Sequence, residues 1–271
     1  MVRRSRCWPV LSRALVGGFL AVGVAAFPPV LGQTGALAQM AMPKEEVTTK
    51  ILWPPQGQVV TSNAVPVIPE FSHWTERCDL AGTKVTPGAG HYHAYLDGSL
   101  VNMFCGPALV SLQNVKPGKH TLTVIPAEND HAEVESAKAS VTVDYEPSHA
   151  LPWISAGPPG TPRIRILYPR NGATVHGAFP LVVDVSNFLL SCDLYGKARV
   201  SNAGHWHVNV DTMTGPMMGM ATMLGMSCTN SMVISTAGIP QGRHTFYAFL
   251  VDTLHEPLAR PVVASVTLTV R

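Results

Sequence analysis

The chain has little charge to spare, no apolar run long enough to span a membrane, and no sustained helical period. Each shortage removes a class of protein. Charged residues are 13% of 271, and Arg3, Arg4, Arg6 and Arg13 all fall within the first 38 residues. Without those four, 15 Lys and Arg face 17 Asp and Glu, so the rest of the chain is slightly acidic. It lacks the basic footprint of a nucleic-acid binder. The apolar run "ALVGGFLAVGVAAF" is shorter than the roughly 20 residues that a spanning helix needs, and glycine interrupts it. No Ser-His-Asp order, phosphate-cradling glycine loop or paired-carboxylate motif stands out, which leaves a metal-dependent enzyme as the weaker expectation and calls for no organic cofactor.

Basic residues, that short apolar run and the small-residue site "ALA" at 36–38 together read as a secretory signal peptide over residues 1–38. The mature chain is then periplasmic or secreted, with no transmembrane span after cleavage. The Arg3-Arg4 pair hints at twin-arginine export.

An internal repeat organises what remains. "RCDLAG" aligns with "SCDLYG", "GHYHAYLDG" with "GHWHVNVDT", "PGKHTLTV" with "QGRHTFYA", and "ENDH" with "DTLH", in the same order. The offset is 114 residues at Cys78/Cys192 and His91/His205 and 124 at His120/His244 and His131/His255, so one insertion falls between strands of the second copy. Two domains from a duplication are expected, at 47–146 and 163–271. Between them, over 147–162, the proline-rich "PSHALPWISAGPPGTP" reads as a stiff, extended linker.

Within each copy, short alternating runs such as "HTLTVIPA" and "ASVTLTV" are separated by Pro/Gly turns. Roughly seven strands in about 100 residues predicts an all-β chain of two tandem immunoglobulin-like β-sandwiches. Four cysteines remain outside the leader, two per copy. In an exported chain the pairs Cys78 with Cys105 and Cys192 with Cys228 read as disulfides, worth roughly 3 to 4 kcal/mol each on a chain-entropy argument. Thiolate metal ligands are the rival reading.

Eight of the eleven histidines occupy matching positions. Side chains alternate along a strand, so Tyr92, Ala94 and Leu96 share a core face while His91, His93 and Tyr95 share the other. Trp206, Val208 and Val210 likewise leave His205 and His207 pointing away from the core. His120 and His244 lie at the start of the next long strand, where immunoglobulin-like folds hold a corner residue bonded to backbone, and read as structural. At the far end of that strand sit His131 and His255. The topology therefore predicts two clusters, His91/His93/His131 and His205/His207/His255, each at a solvent-facing pole braced by a disulfide.

Three imidazoles converging on one point suit copper or zinc, with Glu133 and Glu256 nearby as oxygen ligands or acceptors behind the rings. The competing reading has the same rings hydrogen-bonding loops to one another. The second copy adds "TMTGPMMGMATMLGMSC", whose Met217, Met218, Met220, Met223 and Met226 offer soft thioethers favouring Cu(I). Flexible apolar filler is the alternative. Since the first copy has only Met103 in this region, a methionine site is expected to be peculiar to copy two. A third class of function is a cell-envelope module that recognises a protein or glycan through its loops, with no metal.

"GHYHAYLDG", "VKPGKHTLTV" and "AENDH" together resemble a bacterial domain family of unknown function found in small exported proteins. Its marks are a Gly-His-x-His strand, a Pro-Gly-x-His-Thr-Leu segment and a later histidine. The resemblance implies an exported immunoglobulin-like domain and no particular substrate. The tandem arrangement, the cysteine pair in each copy and the methionine-rich insertion depart from it.

Overall fold

Alternation builds the sheets. In Ala64–Ser72, Val65 and Val67 are buried while Pro66 and Ile68 are exposed, and Ala178–Ser186 repeats this with Phe179, Leu181 and Val183. The structure, a computed structural model, describes residues 46–271, and the signal-peptide reading with Cys7 lies outside them. The only helical elements among the described residues are short 3-10 turns. No helix there is long and apolar enough to cross a membrane.

The first half pairs Thr48–Trp53, Ala64–Ser72 and Ala108–Ser111 in a three-stranded antiparallel sheet. Its larger sheet runs Gln58–Val60, Ala139–Tyr145, Gly118–Glu128, Ala89–Leu96, Thr75–Glu76, with Ser99–Phe104 also against Ala89–Leu96. The second half repeats both orders: Arg163–Tyr168, Ala178–Ser186, Ser231–Ser235, then Thr174–Val175, Val263–Val270, Gly242–Asp252, Ala203–Val210, Leu189–Leu190, with Met223–Ser227 against Ala203–Val210. The protein is all-β, two immunoglobulin-like sandwiches in tandem. Each has its own core, around Tyr92, Leu122 and Val124 in one and Trp206, Phe246 and Leu250 in the other.

Disulfides join Cys78 to Cys105 and Cys192 to Cys228. Beside each, the large core aromatic donates to a carbonyl just past the second cysteine: the Tyr92 hydroxyl to Gly106 O at 2.7 Å, and the Trp206 indole N–H to Thr229 O at 2.7 Å. The hairpin strand is thus held covalently and by a hydrogen bond in both halves.

The halves are not beads on a spacer. Residues 46–271 belong to one compact unit. Tyr195 of the second half is buried in the core cluster of the first. Segment 147–162 is tied to both halves: Gln113 Nε2 and Asn114 Nδ2 donate to the carbonyls of Pro152 and Ile154, and Asn202 Nδ2 to those of Pro158 and Gly160. The packing has approximate two-fold character. Gly82, at φ +72°, would place a Cβ 2.6 Å from the Met223 carbonyl, and Gly196, at φ +68°, 2.6 Å from the Leu100 carbonyl oxygen. Only glycine allows both the left-handed backbone and the close approach of the opposite chain.

Candidate metal centre

Strand parity sets the first two rings of each cluster. Tyr92, Ala94 and Leu96 join the core from Ala89–Leu96, which turns His91 and His93 to the opposite face. The third ring arrives on the turn beyond the antiparallel neighbour, whose Ala127 lies opposite His91 and whose Val251 lies opposite His205. His131 and His255 adopt left-handed backbone, φ 67° and 65°. That conformation costs a non-glycine residue on the order of 1 kcal/mol, so the surrounding turn must hold it. His131 N–H donates to Glu128 O at 2.9 Å and His255 N–H to Asp252 O at 3.2 Å.

The six rings converge as two groups of three, with one ring nitrogen of each residue within 4.8 Å of the others. Their surroundings differ from the expected solvent-facing pole. All six are buried, none more than 6% exposed. The reason is the docking of the halves, which covers the histidine-bearing face of each long sheet with the other half. The loop ring of each cluster donates across this junction: His131 Nε2–H to Met223 O at 2.8 Å, and His255 Nε2–H to Leu100 O at 2.9 Å.

Those bonds determine the tautomers. A carbonyl only accepts, so neutral His131 carries its proton on Nε2 and presents a bare Nδ1 to the cluster. His93 Nδ1 lies 2.6 Å from Glu133 Oε1, and the same carboxylate oxygen accepts from the Tyr95 hydroxyl. Burial opposes charge on Glu133, but hydrogen bonds from His93 and Tyr95 outweigh it and lower its pKa. Neutral His93, donating from Nδ1 to Glu133, presents a bare Nε2. These two lone pairs face each other at 3.4 Å, with His91 Nε2 at 3.0 Å from one and 3.2 Å from the other. Three nitrogens share at most one proton among them. A cation at their centre would satisfy all three. Nitrogens about 2.0–2.1 Å from a tetrahedral ion lie about 3.3 Å apart, close to what is found.

Five of the six rings are shifted toward the neutral form that ligation requires. Burial first, then His131 and His93, holds His91 well below its ordinary pKa. Burial and then His93 lower His131 to about 4. In the second cluster His205 and His207 are held well below the ordinary value by burial and then His255, and burial brings His255 to about 4. His205 Nε2 is 2.9 Å from both His207 Nε2 and His255 Nδ1. Nδ1 of His205 and of His207 is buried without a partner, as is Nδ1 of His91 in the first group. The position matching Glu133 is Pro257.

Glu256 does not stand behind the second cluster. It lines a cavity with His93, His131 and Glu133 of the first half. Met217 and Met220 line the same cavity, so the methionine-rich insertion borders the copy-one cluster and not its own half alone. The physical reason is again the docking, which lays the insertion over the neighbouring half. Met223 is buried and contributes its backbone carbonyl, Met218 contributes its carbonyl to Asn209, and Met226 sits directly across the strand pair from His207. Met103 holds the equivalent place opposite His93.

His120 and His244 lie at the other end of their strands. His120 Nδ1 is 2.6 Å from Asp97 Oδ2 and Nε2 2.8 Å from Lys116 O, while His244 makes the same pair of bonds with Asp211 and Pro240. Both nitrogens of each ring are occupied. Sequence reasoning missed Tyr195, whose ring lies 4.3 Å from that of His205, and the two carbonyls that orient the loop rings. A carbonyl is carried by every residue, so no side-chain pattern could reveal them. Lys197 was also missed: it is 4% exposed and its ammonium nitrogen has no partner.

These features define a tandem immunoglobulin-like protein with two buried three-histidine groups that could hold metal ions. No family model and no curated protein matches the chain. Among solved structures it is similar to the fibronectin(III)-like modules of Clostridium thermocellum CbhA, at 11% identity over 83% of this chain and 94% of that one, with a TM-score of 0.26. It is also similar to a structure concerned with Dscam isoform specificity (9% identity, 82% and 46% covered, TM-score 0.22) and to a biofilm associated protein BSP domain (11%, 83% and 29%, 0.21). It spans less than half of the last two chains. The fold description rests on the strand orders above.

Proposed function

We propose that the protein is an exported, non-catalytic carrier or sensor that binds one transition-metal ion, copper or zinc, in each histidine group. His91, His93 and His131 are the ligands in the first half, with Glu133 orienting His93. His205, His207 and His255 are the ligands in the second. The observation that carries this reading is the pair of facing lone pairs on His93 and His131, whose protons are committed to Glu133 and to Met223 O. In a purely hydrogen-bonding role a single proton, on His91 Nε2, would have to serve both lone pairs, at 3.2 and 3.0 Å, whereas one cation satisfies all three nitrogens. Imidazole donors suit both Zn(II) and copper. The two disulfides fit an oxidising compartment, periplasmic or extracellular.

The test is metal analysis of the purified mature chain after incubation with Cu or Zn and removal of excess. About one ion per half is expected, with a thermal shift that grows with free metal. His93→Ala with His207→Ala should abolish uptake. A protein that stays metal-free in excess of both ions rejects the reading.

A further inference from the structure

The two histidine groups are enclosed differently. Over the second, the Tyr195 ring lies 4.3 Å from His205 and 5.7 Å from His255, and Phe249 lies 5.5 Å from His207. The matching residues of the first half are the smaller Ala81 and Ile125. There a cavity of about 400 Å³ reaches His93, His131 and Glu133, and it is also lined by Met217, Met220 and Glu256 from the other half.

Both methionines belong to the insertion. His205 and His255 are 50 residues apart, whereas His91 and His131 are 40 apart, and the extra length forms a loop with no counterpart in the first half. Its backbone is strained: Met217 and Met218 have φ 50° and 58°. Such residues relax unless something holds them. Asn209 does so from the strand that carries His205 and His207, its Nδ2 donating to Met218 O at 3.1 Å and Gly219 O at 2.6 Å. A buried amide on one half's histidine strand thus anchors the loop whose Met217 and Met220 line the cavity of the other half's histidine group.

Resting on the reading of these groups as metal sites, we propose that Met217 and Met220 make the first group an exchangeable copper(I) site, loaded through their shared cavity, while the second retains its ion. Thioether sulfur is a soft donor that selects Cu(I) over Zn(II). The unbranched methionine side chain can follow an ion as it moves inward. Glu133 and Glu256 on the same walls favour a cation over an anion as the guest. Aromatic closure of the second group denies its ion a comparable path.

The test compares the full mature chain with Met217→Leu/Met220→Leu, a near-isosteric change that removes both sulfurs. Bicinchoninate competition reads Cu(I), a zinc chelator reads Zn(II), and X-ray absorption reads sulfur around bound Cu(I). The expected result is a loss of roughly tenfold or more in Cu(I) affinity at one of two sites, unchanged Zn(II) affinity, and loss of the sulfur signal. Met217→Leu alone, the milder variant, should shift the same way. Unchanged Cu(I) affinity, or a sulfur signal that persists in the double variant, overturns the proposal and leaves the histidine groups as metal sites. A wild-type chain that takes up neither copper nor zinc overturns both readings.

Discussion

His131 donates from Nε2 to the backbone carbonyl of Met223, 2.8 Å away and in the other half of the molecule. Because that carbonyl can only accept, the bond turns the His131 lone pair inward, toward His91 and His93. His255 and Leu100 repeat the relationship in the opposite sense. Docking of the halves and orientation of the histidine groups are therefore one structural event.

Removing the proton acceptor behind His93 should weaken only the first group. For Glu133→Gln we expect first-site metal affinity to fall about ten- to a hundredfold, with the second site unchanged. Competition titration with a chromophoric chelator resolves the two sites, and an equal loss at both would contradict the assignment.

The junction itself can be opened by adding a single carbon. In Gly82→Ala and Gly196→Ala the new Cβ meets the opposite backbone at 2.6 Å, and both residues need a left-handed backbone. Each should cost at least about 1 kcal/mol, lower the melting temperature and speed proteolysis within 147–162. Wild-type melting and protease resistance in both variants would show that the halves do not depend on this contact.

Metal-free protein should lose stability in mild acid. Burial sets His131 and His255 at about 4, whereas the unfolded chain protonates its imidazoles near pH 6.5. Between those values the unfolded state binds more protons, so the stabilisation is complete above about pH 6.5 and is lost as pH falls toward 4. His91, His205 and His207 shift in the same direction. Urea melts from pH 7.5 to 4.5 should show this decline, and a flat profile would count against neutral buried rings.

Lys197 is a liability that substitution should relieve. Burial lowers its pKa to about 8, and its ammonium nitrogen has no partner. Lys197→Met keeps the packing of the stem and should stabilise the protein at pH 7 by about 1–3 kcal/mol. In the wild type, stability should rise as pH climbs from about 8 toward the unfolded value near 10.4, narrowing the gap between the two proteins. Chemical denaturation at pH 7 and 9.5 measures both, and a destabilised variant would mean that the charge is satisfied in solution.

His120→Ala and His244→Ala should separate stability from metal binding. Each ring ties a turn aspartate to a loop carbonyl, so each loss should cost about 1–3 kcal/mol while metal stoichiometry stays the same. Reduced metal content in folded variants would show that the two ends of the strand are coupled.

Much of this molecule was legible in the residue order because the relevant rules are local. Period-two alternation puts Tyr92 and Trp206 in the cores and the His-x-His pairs on the opposite face. Antiparallel pairing carries His131 and His255 to the start of the histidine strands, and the repeat assigns the cysteines to pairs within each half. None of this needs information about how the two sandwiches pack on each other.

What tertiary structure alone decided is the fate of the histidine face. Seen from a single half it reads as an outer surface, and only the contact between two folded surfaces buries it. That contact depends on features with no local pattern: glycines that admit an opposing backbone, carbonyls that any residue supplies, and a loop whose methionines complete the neighbour's wall. Strand parity determined which way each ring points, and the packing of one half on the other determined what it points at.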